Sequence, residues 1–395
     1  MGLFIDIGFI FFYGFSLFFN LKSTSHPAKF MTAYLLLIMA YGLYRISYHL
    51  VWKARYRKVV PKLNKKRWLT SQHWIIAAFI LFCLSQLLPY LFPGGMVAYH
   101  TNRLIVPAGL AAFVAMISSR SPAIRFFGLF IVVFVIVNTL NAYSRRLVGS
   151  FLLAIGCYLF YFRPSINYSW FKNVFELRKI KFLFIVVFMF AIVFVTGYRQ
   201  RLVGEQLSTA DAFSVGTASL FSGAGFDTFL RTVQSVEIYP NIEPYLYGKS
   251  LFGLLVNPIP RVYWPDKPIA FGVELATLVL GVTVNNLPTN FGPGLVGEAW
   301  ANGGWLSVIL CFVALGIIAS RIDLIIWSRS SSTYAVALYS LAIGSVPFII
   351  RGDFLNSGYD IGIKLLPLVI IITMFRGLYR AVVPRHSLTT MTKRT

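Results

Sequence analysis

Long runs without a charged residue recur along this chain, as at 182–198, and they restrict its fold more than any other feature. About 18–20 apolar residues in a helix cross the hydrocarbon core of a bilayer. No water is available there, so the backbone must satisfy itself as a helix or a closed barrel. Barrel strands alternate apolar and polar residues, whereas these runs are continuously apolar, which selects helix. Composition agrees. Apolar residues make up 57% of the chain and charged residues 12%, against roughly a quarter charged in a soluble domain. Mean hydropathy is +0.71. The expected fold class is all-α, a polytopic transmembrane helical bundle.

Spans are expected at 2–20, 31–51, 73–92, 104–119, 125–141, 147–162, 182–198, 304–320, 334–350 and 364–379, about ten in all. They divide the chain into N-terminal transmembrane helices (1–198), a large loop (199–303), and C-terminal transmembrane helices with a basic tail (304–395). The first residues lack a basic region and a small-residue cleavage site. Asp6 stands where a myristoylation signal wants Ser or Thr. An uncleaved, unlipidated first helix is therefore expected. Cys83, Cys157 and Cys311 lie inside apolar runs. They read as small buried hydrophobes, without disulfide or metal spacing.

The net charge of +23 reads as membrane topology rather than nucleic-acid binding, because cytoplasmic loops collect Lys and Arg. Basic clusters run from Lys53 to Arg67, from Arg163 to Lys181 and from Arg376 to Arg394. The ten-span arrangement puts all of them on the cytoplasmic side, with both termini. Most acids then fall in two loops on the other side, 199–303 and 351–363. Within the larger loop, Phe226, Phe229, Leu230, Val233 and Val236 share one helical face, and Asp227 and Arg231 pair at i,i+4. That segment and 269–284 are expected as short amphipathic helices lying on or dipping into the membrane. Were both to span, the count would be twelve.

The outer side should be poor in arginine, yet Arg103, Arg145, Arg146, Arg199, Arg201, Arg231, Arg261 and Arg351 all fall there. Guanidinium is always charged and grips phosphate in a bidentate fork, so such a ring suits a lipid-linked diphosphate. Any one of these side chains also reads as snorkelling to headgroups or pairing with a loop acid. The prolines and glycine of Tyr245–Lys249 and Asn257–Pro268 predict a shaped loop. Its Tyr247, Tyr263 and Trp264 can stack on sugar rings or anchor at the membrane interface. Glycine-dense Asn290–Gly304 lets the backbone approach a ligand closely. Glu298 lies there at the mouth of a span, where low-dielectric surroundings suit a general base. Pairing with an arginine is the plainer alternative. No Ser-His-Asp or nucleotide-loop signature is present.

Three short segments resemble the bacterial oligosaccharide repeat-unit polymerases, the Wzy-type O-antigen and capsule polymerases. The first is Asn141-Ala142-Tyr143-Ser144-Arg145-Arg146. The second is Pro258-Ile259-Pro260-Arg261 with Trp264-Pro265-Asp266-Lys267-Pro268. The third is Gly297-Glu298 with Asn302-Gly303-Gly304. The resemblance implies a GT-C-like, metal-independent glycosyltransferase without a cofactor, in the bacterial inner membrane, with its site facing the periplasm. Its donor and acceptor would be undecaprenyl-diphosphate-linked oligosaccharides. Its partners would be membrane lipids and a chain-length regulator protein, with no nucleic acid. Arg145, Arg146, Arg199, Arg201, Arg261 and Arg351 would hold the diphosphate, and Tyr247, Tyr263 and Trp264 the sugars. Glu298 would be the base, with Asp227 and Asp353 behind it. An O-antigen ligase is the nearest alternative, and a flippase for lipid-linked oligosaccharides is the alternative of another class.

Overall fold

The computed structural model describes residues 1–14, 27–56, 70–91, 102–141, 145–161, 193, 214–215, 227–257, 259, 263–287, 291–328 and 332–382. Among the described residues there is no strand. The helices are α1 (Gly2–Gly8, continued by a π-turn over Phe9–Gly14), α2 (Pro27–Tyr56), α3 (Ser71–Leu91), α4 (Ile105–Ser118), α5 (Pro122–Asn141) and α6 (Arg145–Tyr161). After the segments left undescribed come α7 (Thr228–Ile238), α8 (Lys249–Val256), α9 (Phe271–Leu280), α10 (Gly294–Ser328), α11 (Thr333–Arg351) and α12 (Phe354–Val382).

Among the described residues, α2, α3, α5, α10, α11 and α12 are long and apolar enough to cross a membrane. They coincide with the spans expected at 31–51, 73–92, 125–141, 304–320, 334–350 and 364–379. The expected spans at 104–119 and 147–162 are the shorter helices α4 and α6, of 14 and 17 residues. With the 3-10 turn Asn102–Leu104 that leads into it, α4 is part of an apolar helix running Asn102–Ser118, still below the roughly 20 residues usual for a span. α4 is buried along nearly its whole length, so its all-round apolarity serves a protein core. The span expected at 182–198 lies outside the described residues except for Val193.

Two expectations for the connecting segments change. The apolar face of 226–236 does form a helix, α7, but Phe229, Val233 and Val236 are buried against α10 and α2 rather than turned to lipid. An amphipathic pattern says that a face must be covered and leaves open whether protein or lipid covers it. Residues 354–363, expected within a loop, are the opening turns of α12. Asp353 caps that helix, accepting from Asn356 N at 2.7 Å, and Asp360 lies inside it.

Two buried cores fill the bundle. One joins α1, α2, α7, α9 and α10, the other α3, α4, α5, α6 and α12. α11 supplies Tyr339, Ile343, Val346 and Ile350 to the first, and Val336, Ala337 and Leu341 to the second. Its faces meet neighbours closely because small residues line them, the usual solution where lipid offers no hydrophobic drive between helices. A Cβ on Gly344 would lie 2.3 Å from the Ser150 carbonyl oxygen of α6. A Cβ on Gly316 of α10 would lie 2.4 Å from the Tyr44 carbonyl oxygen of α2. At one end of the bundle Asp323 of α10 accepts from Gly2 N at 2.9 Å, Tyr48 Oη at 2.8 Å and Tyr339 Oη at 2.7 Å, tying α1, α2, α10 and α11 together.

Gly344→Ala is therefore expected to lower thermal stability in detergent, by roughly 1–3 kcal/mol from overpacking. Gly377→Ala, where a Cβ meets open space on α12, is expected to be neutral or to add up to about 1 kcal/mol from helix propensity. Equal melting temperatures for the two variants would contradict the close α6–α11 packing.

Candidate functional site

The end of the bundle opposite Asp323 is organised by a break in α10. Gly303 and Gly304 depart from helical geometry, and Gly304 has φ +61, a conformation that costs glycine little. The break separates a short segment, 294–302, from the membrane-spanning remainder. Gly294, at φ +72, is needed for a second reason: a Cβ there would meet Tyr13 Oη at 2.2 Å and Thr228 Cγ2 at 2.5 Å. A Cβ on Gly297 would lie 3.0 Å from Ser235 Oγ. Glycine at 294 and 297 thus lets α7 press against the short segment, and Glu298 rides on that segment.

Glu298 is fully buried. Its Oε2 accepts from Phe354 N at 2.7 Å, at the start of α12. Its Oε1 has no hydrogen-bond partner among the described residues. The Ser250 hydroxyl, which accepts from Asn302, is the polar side chain beside the carboxylate. A carboxyl group this buried with so few donors is uncommon in native structures. Asn302, one turn on, anchors the neighbouring loop: its Nδ2 donates to the Glu298 carbonyl and to Ser250 Oγ, each at 2.8 Å, while its Oδ1 accepts from Gly248 N at 3.0 Å.

Asp353 stands beside this group, and both its oxygens are occupied. Besides Asn356 N, it accepts from Asn356 Nδ2 at 3.0 Å and Gly272 N at 3.4 Å. Burial pushes its carboxyl above the ordinary range, against the pull of the Asn356 donors and the Arg146 charge. The geometry makes Asp353 a helix cap. Arg146, on the first turn of α6, places its guanidinium against Gly352, 3.4 Å from where a Cβ would be. Arg351 ends α11, lies against Gly292, and reaches Asp227 only loosely, at 3.8 Å. Asp227 is held by Arg231 at 2.9 Å, the i,i+4 pair expected from the sequence. Arg231 spends its fork on Asp227 and Gln234, with its plane 3.5 Å from the Phe291 ring centroid.

Arg146, Asp227, Glu298 and the Arg351–Asp353 turn, from four separate stretches of sequence, are thus gathered at one end of the bundle. Tyr247 and Tyr263 are 81% and 82% exposed. Trp264 packs edge-on against Phe252, with centroids 6.2 Å apart. Lys267 is buried and donates to the carbonyls of Asn257 and Ile259 at 2.8 and 2.7 Å, closing the loop between them. Arg199, Arg201 and Arg261, and the side chain of Arg145, lie outside the described residues.

A second polar group lies deeper, and sequence reasoning missed it. Lys364 of α12 is fully buried. Its ammonium donates to Asp360 Oδ2 at 2.6 Å, Ser150 Oγ at 3.0 Å and Ser345 Oγ at 3.1 Å. Asp360 also pairs with Arg103 at 3.0 Å. The available signal was an Asp and a Lys at i,i+4 entering an apolar run, where charges are costly and need partners.

Asp360 is the hub of this group, since it answers both Arg103 and Lys364. Breaking a buried pair costs on the order of 3–5 kcal/mol because a charge is stranded. Asp360→Ala removes the carboxylate that Arg103 and Lys364 share, whereas Lys364→Met leaves Asp360 paired with Arg103. Thermal unfolding in detergent is therefore expected to show the larger loss for Asp360→Ala. A larger loss for Lys364→Met would overturn the assignment of the hub. No protein-family model matches this chain, nor does any of the curated proteins or solved structures compared with it.

Proposed function

We propose that the protein polymerises lipid-linked oligosaccharide repeat units in a bacterial inner membrane, with the Glu298 end of the bundle facing the periplasm. In this reading the anomeric C–O bond to the polyprenyl diphosphate breaks. A new C–O bond forms to a sugar hydroxyl of the next lipid-linked unit. The hydroxyl proton passes to Glu298, and the diphosphate leaves with its electron pair. The observation that carries the reading is that the turn from α11 to α12 joins them: Arg351 ends α11, Arg146 lies against Gly352, and the buried Glu298 carboxylate accepts from Phe354 N. Leaving-group charge needs fixed positive charge, and a hydroxyl nucleophile needs a base within reach. Arg145, Arg199, Arg201 and Arg261 are assigned to the same diphosphate, and the aromatic loop around Trp264 to the sugars. Asp227 tethers Arg351, and Asp353 holds the start of α12 whose Phe354 N–H binds Glu298. A chain-length regulator protein is the expected partner.

One alternative has its own support. The break at Gly303–Gly304 and the buried Arg103–Asp360–Lys364 group are features that transporters use at substrate sites. On that reading the protein moves lipid-linked glycans across the bilayer.

Arg351→Ala, Arg261→Ala and Glu298→Gln are each expected to abolish glycan lengthening while leaving expression and membrane insertion intact, read from the glycan ladder of complemented cells. Single repeat units that still reach their final acceptor indicate lost polymerisation. Their absence indicates a ligase. Purified protein that moves substrate across liposomes without lengthening any glycan would establish the transporter.

A further inference from the structure

α8 has two different faces. Ser250 on one face is buried beside the Glu298 carboxylate and accepts from Asn302. On the other face Leu251, Phe252 and Leu255 are 45%, 48% and 76% exposed. An apolar face left open on a surface helix needs an occupant, and the position of α8 identifies it. α8 packs across the first turns of α12: a Cβ on Gly253 would lie 2.9 Å from Leu355 Cδ1, and one on Gly358 would lie 2.9 Å from Leu254 Cδ1. At 3.6 residues per turn, the face of α12 that carries Leu355 continues through Gly362, Leu366 and Thr373. Beyond α8 no described residue covers that stripe. A Cβ on Gly362 would meet nothing, Leu366 is 61% exposed and Thr373 is exposed. α12 is long and apolar enough to span a membrane, and an apolar stripe on such a helix suits lipid. α8 closes the end of that stripe.

We propose that α8 lies in the bilayer interface with Leu251, Phe252 and Leu255 in lipid, and that a lipid-borne ligand reaches Glu298 from the membrane side past this helix. An interfacial helix with its apolar face at the headgroup boundary has this form. Ser250 places the inner side of α8 on the carboxylate, so the helix is one layer of wall between lipid and Glu298. The inference needs only a membrane location and is independent of glycan chemistry.

The test has two parts, both on the full chain in phosphatidylethanolamine/phosphatidylglycerol proteoliposomes. Leu255→Cys and Leu251→Cys proteins are labelled with an environment-sensitive fluorophore, with the unsubstituted protein carried through the same labelling as the blank. The 255 signal is expected to be quenched by nitroxide lipids labelled near the headgroup and to resist aqueous iodide. Quenching by iodide but not by nitroxide lipid at both positions would overturn the proposal. In the second part, modification of Glu298 is followed by peptide mass, with Glu298→Gln as the control. Lipid-soluble dicyclohexylcarbodiimide is expected to modify Glu298 at least about tenfold faster than a water-soluble carbodiimide, because water-borne reagents are excluded from hydrocarbon. Equal rates, a faster water-soluble reagent, or no modification by either would overturn access from the lipid side.

Discussion

A charge inside an apolar bundle must find its counter-charge, and the arrangement around Lys364 follows from that requirement. Its ammonium is buried among α6, α11 and α12, and it reaches a partner on each: Ser150, Ser345 and Asp360. Asp360 in turn pairs with Arg103, at the turn that leads into α4. Removing water from these groups costs several kcal/mol per ion, recovered only where the geometry is good and every donor is used. Such a group ties α6, α11 and α12 together, because each supplies a partner to one ammonium. α11 is thereby held between the two cores, and close contacts at Gly344 become possible.

The site depends on that scaffold. Arg146 lies one turn before Ser150 on α6, and Arg351 lies beyond Ser345 on α11. Pinning Ser150 and Ser345 to the same ammonium places both arginines at the same end. Glu298 is brought there by a different device, the glycines at 294, 297, 303 and 304 that let α7 press close and let α10 change direction. Its carboxylate is then held by the first N–H of α12, whose start is capped by Asp353.

Much of this was legible in the residues, and the rest was hidden for physical reasons. Long apolar runs announced α2, α3, α5, α10, α11 and α12, because hydrocarbon leaves a chain few alternatives. α4 and α6 carry the same apolar signal but are shorter over the described residues, and α4 is buried within the protein. The Asp227–Arg231 pair was readable because i,i+4 contact is local. The burial of α7 was not, since an apolar face carries no mark of what will cover it. α8 went unread because eight residues between turns give too short a period to detect. Lys364 is the first residue of the span expected at 364–379, and only its partners on other helices show it to be interior.

The sequence alone determined the solvent and the class of element: a chain this apolar, with uncharged runs of membrane length, becomes a helical bundle in lipid. It also placed glycine where the backbone of 294–304 would have to turn and approach. Tertiary structure decided which charges meet. The Arg103–Asp360 pair and the Lys364 bonds to Ser150 and Ser345 join different helices, so no local pattern records them. The same holds for Glu298, whose carboxylate is buried by contact with the start of α12 and with α8.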